Sequence, residues 1–272
     1  MLPTEDKIFE VLRENADKHI LPYYKSMDAE QIREKAPGNL VTEADEASEE
    51  YLTKVLPKLI PDSLVVGEEA VYKDKNVLKC LDADQPVWIV DPIDGTYNFT
   101  HGRSNWGVLL SLSYMGEIVF GVMYDVLNQQ FIFAKKGEGT YICGADNIKK
   151  PLQMTAPDKP TSQYCGHVGG AQAWHFKKLN PFCGQISNIR CSLHDYWSLV
   201  TGKIDFTFHS STTPWDHSAP SIIIKEAGGY IAAGADADPY NVRQRQKYLL
   251  STYNQADWQE MAANFHSVLQ KK

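Results

Sequence analysis

VWIVDPIDGTYNF, residues 87 to 99, runs from four apolar residues into two carboxylates and a glycine turn. Val87 to Val90 reads as a short buried strand, and it is expected to break at Asp91-Pro92, where proline removes a ladder donor. The chain then turns through Gly95 toward a helix start. Such a junction exposes polar groups, and Asp91 and Asp94 lie three residues apart across a proline-shaped turn. Both carboxylates can face one cation, with the Ile93 carbonyl as a further oxygen ligand. The free N–H groups of Gly95 and Thr96 can hold a phosphate where the helix begins. Turn propensity alone accounts for D-P-x-D-G-T equally well, since Asp, Pro and Gly are common turn residues.

Outward from that stretch, the flanking text reads as an α+β arrangement. Upstream, Leu64-Val65-Val66 ends at Gly67 as a second buried strand and delivers Glu68 and Glu69, more of the hard oxygen ligands that magnesium prefers; the alternative is a solvated strand end. Further back, Ile8, Val11, Leu12 and Ile20 recur at helical spacing up to Leu21 and Pro22. Thr42 precedes Asp45 by three residues, a capping-box spacing, before an apolar helical face that includes Leu52, Val55, Leu56 and Leu59. Pro57 leaves the far end of that helix open. Downstream, VLLSLSY, IVFGVMY, QFIFA and TYIC alternate with MGE, VLN and KKGEG turns from Gly107 to Cys143, an antiparallel meander.

Past the stretch from Lys149 to Pro160 the pattern changes to alternating strand and helix, with helical segments near Tyr196 to Thr201 and Asp216 to Ala227. A boundary near residue 150 is expected, giving an α+β domain over 1–150 and an α/β domain over 151–272. The tail adds a strand, Tyr248 to Ser251, and a helix after Asn254 with Trp258, Met261, Ala262, Phe265 and Leu269 on one side.

Composition limits the partners. The 272 residues carry 34 acidic and 27 basic side chains, so no broad positive field exists to attract nucleic acid or an anionic membrane. The five cysteines form no C-x-x-C pair and fit neither a disulfide framework nor a zinc site, which points to the cytoplasm. The N-terminal MLPTEDKIFE lacks the zones of a signal peptide, and no apolar run reaches the length of a bilayer span. An anionic substrate would therefore need local neutralisation.

A second constellation, PWDHSAPSIIIKEAGG from Pro214 to Gly229, places Asp216 at the start of a helix. On its own that aspartate is more simply an N-cap than a metal ligand, and Glu226-Ala227-Gly228-Gly229 a helix stop.

Taken in order, G-E-E, D-P-I-D-G-T-Y-N-F and W-D-x-x-A-x-x-x-I-x-x-E-A-G-G resemble the inositol monophosphatase family. The resemblance implies a layered α-β-α-β-α sandwich and magnesium-dependent hydrolysis of a small phosphorylated metabolite. It also implies that Glu68, Asp91, the Ile93 carbonyl, Asp94 and Asp216 are ligands to two or three magnesium ions. Thr96 would stand beside the attacking water with Asp45 supporting its hydroxyl, so that Asp45, Glu68 and Thr96 form the catalytic set. Asp94, Gly95, Thr96, Arg190 and Asp216 would contact substrate, and lithium sensitivity and a homodimer would follow. The charge logic agrees, because a phosphate monoester is a dianion in an acidic protein.

Two places depart from the family pattern. A G-[ST]-A-A segment near the sugar hydroxyls is replaced by Arg190-Cys191-Ser192-Leu193-His194, and an acidic residue seven positions before Asp216 is His209. Arg190 and His194 are candidates for a phosphate or carboxylate of another substrate, the alternative being a structural ion pair for Arg190. His101, His167 and His217 read as ordinary polar residues. Tyr97-Asn98-Phe99 favours an inositol phosphate or related polyol or sugar phosphate; histidinol phosphate, fructose bisphosphate and 3′-phosphonucleotides are the alternatives. Aspartyl-phosphate phosphatases are excluded because their nucleophile position is Pro92. A non-catalytic binding protein on the same fold is the reading from another class.

Overall fold

The computed structural model describes residues 2–26, 28–36, 39–170, 182–234, 236–244, 246 and 248–269. Helix α1 (Glu5–Asn15) continues through a π-helical turn at Ala16–Ile20 and a short 3-10 turn at Leu21–Tyr23 that contains Pro22. A hairpin of β1 (Ile32–Ala36) and β2 (Asn39–Thr42) leads into α2 (Glu43–Leu59). Thr42 and Asp45 form the expected capping box, and Pro57 sits inside the helix two residues from its end. Next come β3 (Leu64–Gly67), α3 (Glu68–Lys73), β4 (Val87–Asp94) and α4 (Thr96–Thr100).

The meander follows as β5 (Gly107–Tyr114), β6 (Glu117–Asp125), β7 (Gln130–Lys135), β8 (Gly139–Cys143) and β9 (Lys150–Leu152). The remaining elements are β10 (Gly166–Gly169), β11 (Ile186–Ser187), α5 (Ser192–Val200), β12 (Phe206–His209) and α6 (Pro214–Glu226), then β13 (Tyr230–Ala233), β14 (Asp238–Pro239), β15 (Leu249–Thr252) and α7 (Gln255–Leu269). Trp258, Met261, Ala262 and Phe265 are buried on α7 as the periodicity requires, while the side chain of Leu269 lies outside the described residues.

Among the described residues, β3 to β9 form a seven-stranded sheet in sequence order, parallel between β3 and β4 and antiparallel beyond. A six-stranded sheet has the order β11-β10-β12-β15-β13-β14. The sequence-based reading ends the strand at Asp91-Pro92, but pairing with β5 resumes at Asp94 opposite Gly107. The register slips between Asp91 and Asp94, so the missing proline donor is absorbed as a bulge rather than a stop. The strand ending at Gly67 also gives way at once to α3, so Glu68 and Glu69 open a helix rather than trail from a strand. The helix placed near Tyr196 begins earlier, at Ser192.

Strand alternation builds the layers, because successive side chains point to opposite faces of a sheet. Val108, Leu110, Val122, Tyr124, Phe131 and Phe133 pack with Ile8, Phe9 and Leu12 of α1 and Leu52 and Leu56 of α2. Their neighbours Leu109, Met123, Ile132 and Ala134 point the other way, into a core with Leu193, Tyr196, Ile222, Ile223, Phe206 and Phe208. Helices α5 and α6 thus lie between the sheets. Trp258, Met261 and Phe265 of α7 complete the outer layer, and the fold is an α-β-α-β-α sandwich. Gly121 permits the closeness of α6 to β6, since an added Cβ would stand 2.7 Å from the Ala219 carbonyl oxygen. Among the described residues no helix is long and apolar enough to cross a membrane.

Candidate active site

Four segments distant in sequence converge at the carboxyl end of β4. Asp91 and Asp94 flank its bulge, Glu68 starts α3 from the neighbouring parallel strand, and Asp216 arrives in the first turn of α6. Asp91, Asp94 and Asp216 each present an oxygen, and the three oxygens lie within 4.8 Å of one another. All three residues, with Glu68, line one cleft of about 650 Å³. The cleft also takes in Ile93, Gly95, Thr96, Tyr97, Arg190, Cys191, Ser192 and Asp195.

Asp216 is not the helix cap. Thr213 holds the N-cap position, and its hydroxyl donates to Asp216 Oδ2. The carboxylate is thereby held in the cleft, three residues into the helix sequence.

The charges are crowded. Burial first, and then the charges of Glu68, Asp94 and Asp216, push the Asp91 carboxyl well above its ordinary range. Burial and the Asp216 charge raise Asp94 to about 8, against donation from the Leu193 N–H. Burial raises Asp216 as well, opposed by the Thr213 hydroxyl. Burial raises the Glu68 carboxyl too, and the Lys35 ammonium from β1, 2.8 Å from both Glu68 Oε1 and Glu69 Oε1, only partly opposes it. Mutual repulsion among oxygen donors in a buried cleft is the electrostatic signature of a site for small hard cations. The donor set fits magnesium.

Asp45 and Thr96 are brought together across the cleft edge. Thr96 Oγ1 lies 3.3 Å from Asp45 Oδ1 and 3.0 Å from the Ile93 carbonyl oxygen, two acceptors for one hydroxyl proton. The other Asp45 oxygen accepts from the Thr42 N–H at 2.8 Å and from the Thr42 hydroxyl. The capping box thus fixes both helix α2 and this carboxylate. Burial raises Asp45 to about 7, with the Thr42 hydrogen bonds pulling it back down. Gly95 adopts φ 88° to turn the chain from β4 into α4, a conformation that excludes a side chain facing the Asn105 carbonyl.

Several contributors have no local signal in the sequence. The Cys191 thiol sits 3.2 Å from Asp94 Oδ2, while the N–H groups of Ser192 and Leu193 also donate to that carboxylate. Burial, followed by the Asp94 charge, pushes the thiol well above its usual range and keeps it a donor. Glu49 of α2 accepts from the N–H groups of Glu69 and Ala70 at 2.8 and 2.7 Å, orienting the start of α3. Asp195 lines the cleft, with His167 Nδ1 2.9 Å away.

The histidines divide. His209 is buried, stacks on Tyr196 with centroids 4.9 Å apart, and has Nε2 3.7 Å from Asp195 Oδ2. His217 Nδ1 is 2.9 Å from the Tyr196 hydroxyl. His194 does not line the cleft: the first turn of α5 turns it toward Trp106 and the charge of Asp125, so it is no anion contact. Arg190 does line the cleft, and its guanidinium carbon lies 4.1 Å from the Tyr97 ring centroid. Among the described residues it makes that stack and no ion pair.

Comparison with known proteins places these motifs. The sequence profile of the inositol monophosphatase family matches residues 5–270. An inositol monophosphatase of Dictyostelium discoideum is 29% identical over 222 residues, covering 78% of each chain. The IMPase of Thermotoga maritima superposes with a TM-score of 0.80 at 23% identity over 98% of both chains. An IMPase/NADP phosphatase complexed with Mg2+ and phosphate superposes with a TM-score of 0.77 at 17% identity, over 98% of this chain and 95% of that one. The chain belongs to the inositol monophosphatase family and is a hydrolase of phosphate monoesters.

Proposed function

We propose that the chain removes phosphate from a small polyol or sugar phosphate of the inositol 1-phosphate kind, with two or three magnesium ions held by Glu68, Asp91, the Ile93 carbonyl, Asp94 and Asp216. The convergence of Asp91, Asp94 and Asp216 oxygens within 4.8 Å is the observation that carries this reading. When bound, magnesium supplies the positive charge that offsets the phosphate dianion and the departing alkoxide.

The chain's own groups do the positioning. At the start of α4, the N–H groups of Gly95 and Thr96 have no acceptor within the helix and are available to phosphate oxygens. Asp45 holds the Thr96 hydroxyl as an acceptor for a water, and a water so held between Thr96 and Glu68 gives up its proton toward these carboxylates. Asp216 faces the leaving group and orients the water that reprotonates it, while Arg190, Asp94 and Asp216 contact the substrate. A covalent phosphoenzyme is unnecessary.

The same reading includes a homodimer, inhibition by lithium and a cytoplasmic setting; five free thiols support the last. It also divides the chain into lobes at 1–150 and 151–272, supported by the end of the first sheet at Leu152. Phosphate release from inositol phosphate, histidinol phosphate, fructose bisphosphate and a 3′-phosphoadenosine nucleotide, each with and without magnesium, tests the proposal. Release from an inositol or sugar phosphate that stops on chelation and returns with magnesium is expected. Undiminished turnover in metal-free protein sinks the mechanism, and lithium insensitivity counts against the subfamily.

A further inference from the structure

One wall of the cleft carries the opposite sign of charge from the rest. Arg190 is exposed there in a protein of formal net charge −7. Its guanidinium rests on Tyr97, whose ring also stacks with His101 at a centroid distance of 4.1 Å and lies 5.3 Å from the Arg103 guanidinium carbon. Among the described residues, neither arginine has a carboxylate within ion-pair distance.

The position is fixed from two sides. Arg190 adopts φ 56°, a left-handed conformation that is uncommon for a residue with a side chain. Its N–H donates to Asn188 Oδ1 at 2.8 Å, and its carbonyl accepts from Asn98 Nδ2 at 3.2 Å, the amide that also reaches Ile189 O at 2.8 Å. Tyr97 and Asn98, which hold the side chain and the backbone, both belong to α4. That helix begins at Thr96, the residue facing the phosphate in the proposed function. Arg190 is thus registered to the reacting end of the cleft.

The distance is short as well. Cys191 follows Arg190, with Cα atoms about 3.8 Å apart, and its thiol touches Asp94 at 3.2 Å. Asp94, Tyr97 and Arg190 line the same cleft, so one small substrate can face both the carboxylate and the guanidinium. Asp195, which also lines the cleft, has His167 Nδ1 2.9 Å from its Oδ1, and an anion reaching Arg190 meets a preformed planar fork.

We propose that the cleft selects phosphate monoesters bearing a second anionic group, phosphate or carboxylate, and that Arg190 seated on Tyr97 is the specificity-determining residue that binds it. The proposal rests on the phosphatase reading and replaces its singly phosphorylated polyol with a sugar or polyol phosphate that carries a second anion.

Matched esters on the full chain with magnesium provide the test: fructose bisphosphate against fructose monophosphate, and phosphoglycerate against glycerol phosphate. Wild type is expected to favour the second-anion member of a pair, chiefly through KM. Arg190→Ala cuts that preference about tenfold or more, the scale of a charge-assisted hydrogen bond. Arg190→Lys returns part of it, and Tyr97→Leu loses part by removing the platform. No preference in wild type, or a preference unchanged within about twofold in Arg190→Ala, overturns the assignment. Calorimetric titration of the same esters reads the preference without turnover. A preference in affinity that Arg190→Ala abolishes supports the assignment even if no ester is hydrolysed, in which case only the phosphatase reading fails.

Discussion

The Cys191 thiol donates to Asp94 Oδ2 across 3.2 Å in a buried setting, so a residue that usually signals redox or zinc chemistry serves here to aim a carboxylate. Serine preserves the donor, whereas alanine removes it. Cys191→Ser is expected to retain most phosphate release, and Cys191→Ala to lose about tenfold, near the upper end of a net hydrogen bond at roughly 1.4 kcal/mol. Steady-state rates at saturating magnesium check the pair; equal rates in both variants would remove the thiol from the positioning of Asp94.

Asp91→Asn and Asp216→Asn separate function from folding. Each keeps the shape of the side chain and removes a charge from the crowded cluster. Phosphate release is expected to fall roughly a hundredfold or more, the scale of deleting charge stabilisation at a reacting centre. The melting temperature of the metal-free chain should rise, because like-charge repulsion is relieved. A fall in melting temperature for Asp216→Asn with normal turnover would return that residue to a purely structural role.

Stability of the metal-free chain should decline as pH rises from about 6.5 to about 8. Unfolded carboxyls ionise near pH 4, whereas burial holds Asp94 protonated up to about 8 and Asp45 and Glu49 up to about 7. The folded chain therefore binds more protons in that window, and its advantage is lost as pH climbs through those values. His217, depressed to about 3, and His209, also depressed, act only below the unfolded histidine value, where they oppose the slope without reversing it, since more carboxyls are raised than histidines lowered. Glu5, lowered to about 2, is ionised in both states throughout the window. Thermal melts with chelator and with magnesium read the effect. Magnesium should stabilise most at the alkaline end, and a pH-independent gain would contradict it.

Lys35 bridges Glu68 and Glu69 with its own side chain 3% exposed. Lys35→Gln should destabilise the metal-free chain by about 3–5 kcal/mol, as expected when one partner of a buried pair is removed. Magnesium should recover more stability in this variant than in wild type, since the cation substitutes for lost positive charge at Glu68. Denaturant titrations with and without magnesium decide it, and equal recovery in both chains would show that Lys35 does not share charge with the metal site.

What could be read from the sequence was local. The strand into Asp91, the Thr42–Asp45 capping box and the meander from Gly107 each follow from spacing within a few residues. The bulge at Pro92 reads as a strand end in the sequence because the partner that rescues pairing, Gly107, lies on another strand. Cys191, Lys35 and Glu49 acquire their roles only through neighbours far along the chain, and nothing in their immediate sequence points to Asp94, Glu68 or the start of α3. Arg190 and His194 sit close together in sequence, yet the start of α5 separates them, leaving one in the cleft and the other against Trp106.

Helix α6 packs on β5, β6 and β7 although it is made long after them, and it brings Asp216 with it. During synthesis on a ribosome, Glu68, Asp91 and Asp94 emerge early, while the face bearing Leu109, Met123 and Ile132 waits bare for its cover. A nascent chain stalled before Pro214 therefore carries a sticky apolar surface and an incomplete acidic cluster at once. Protection from aggregation and the last carboxylate of the site are delivered by the same helix.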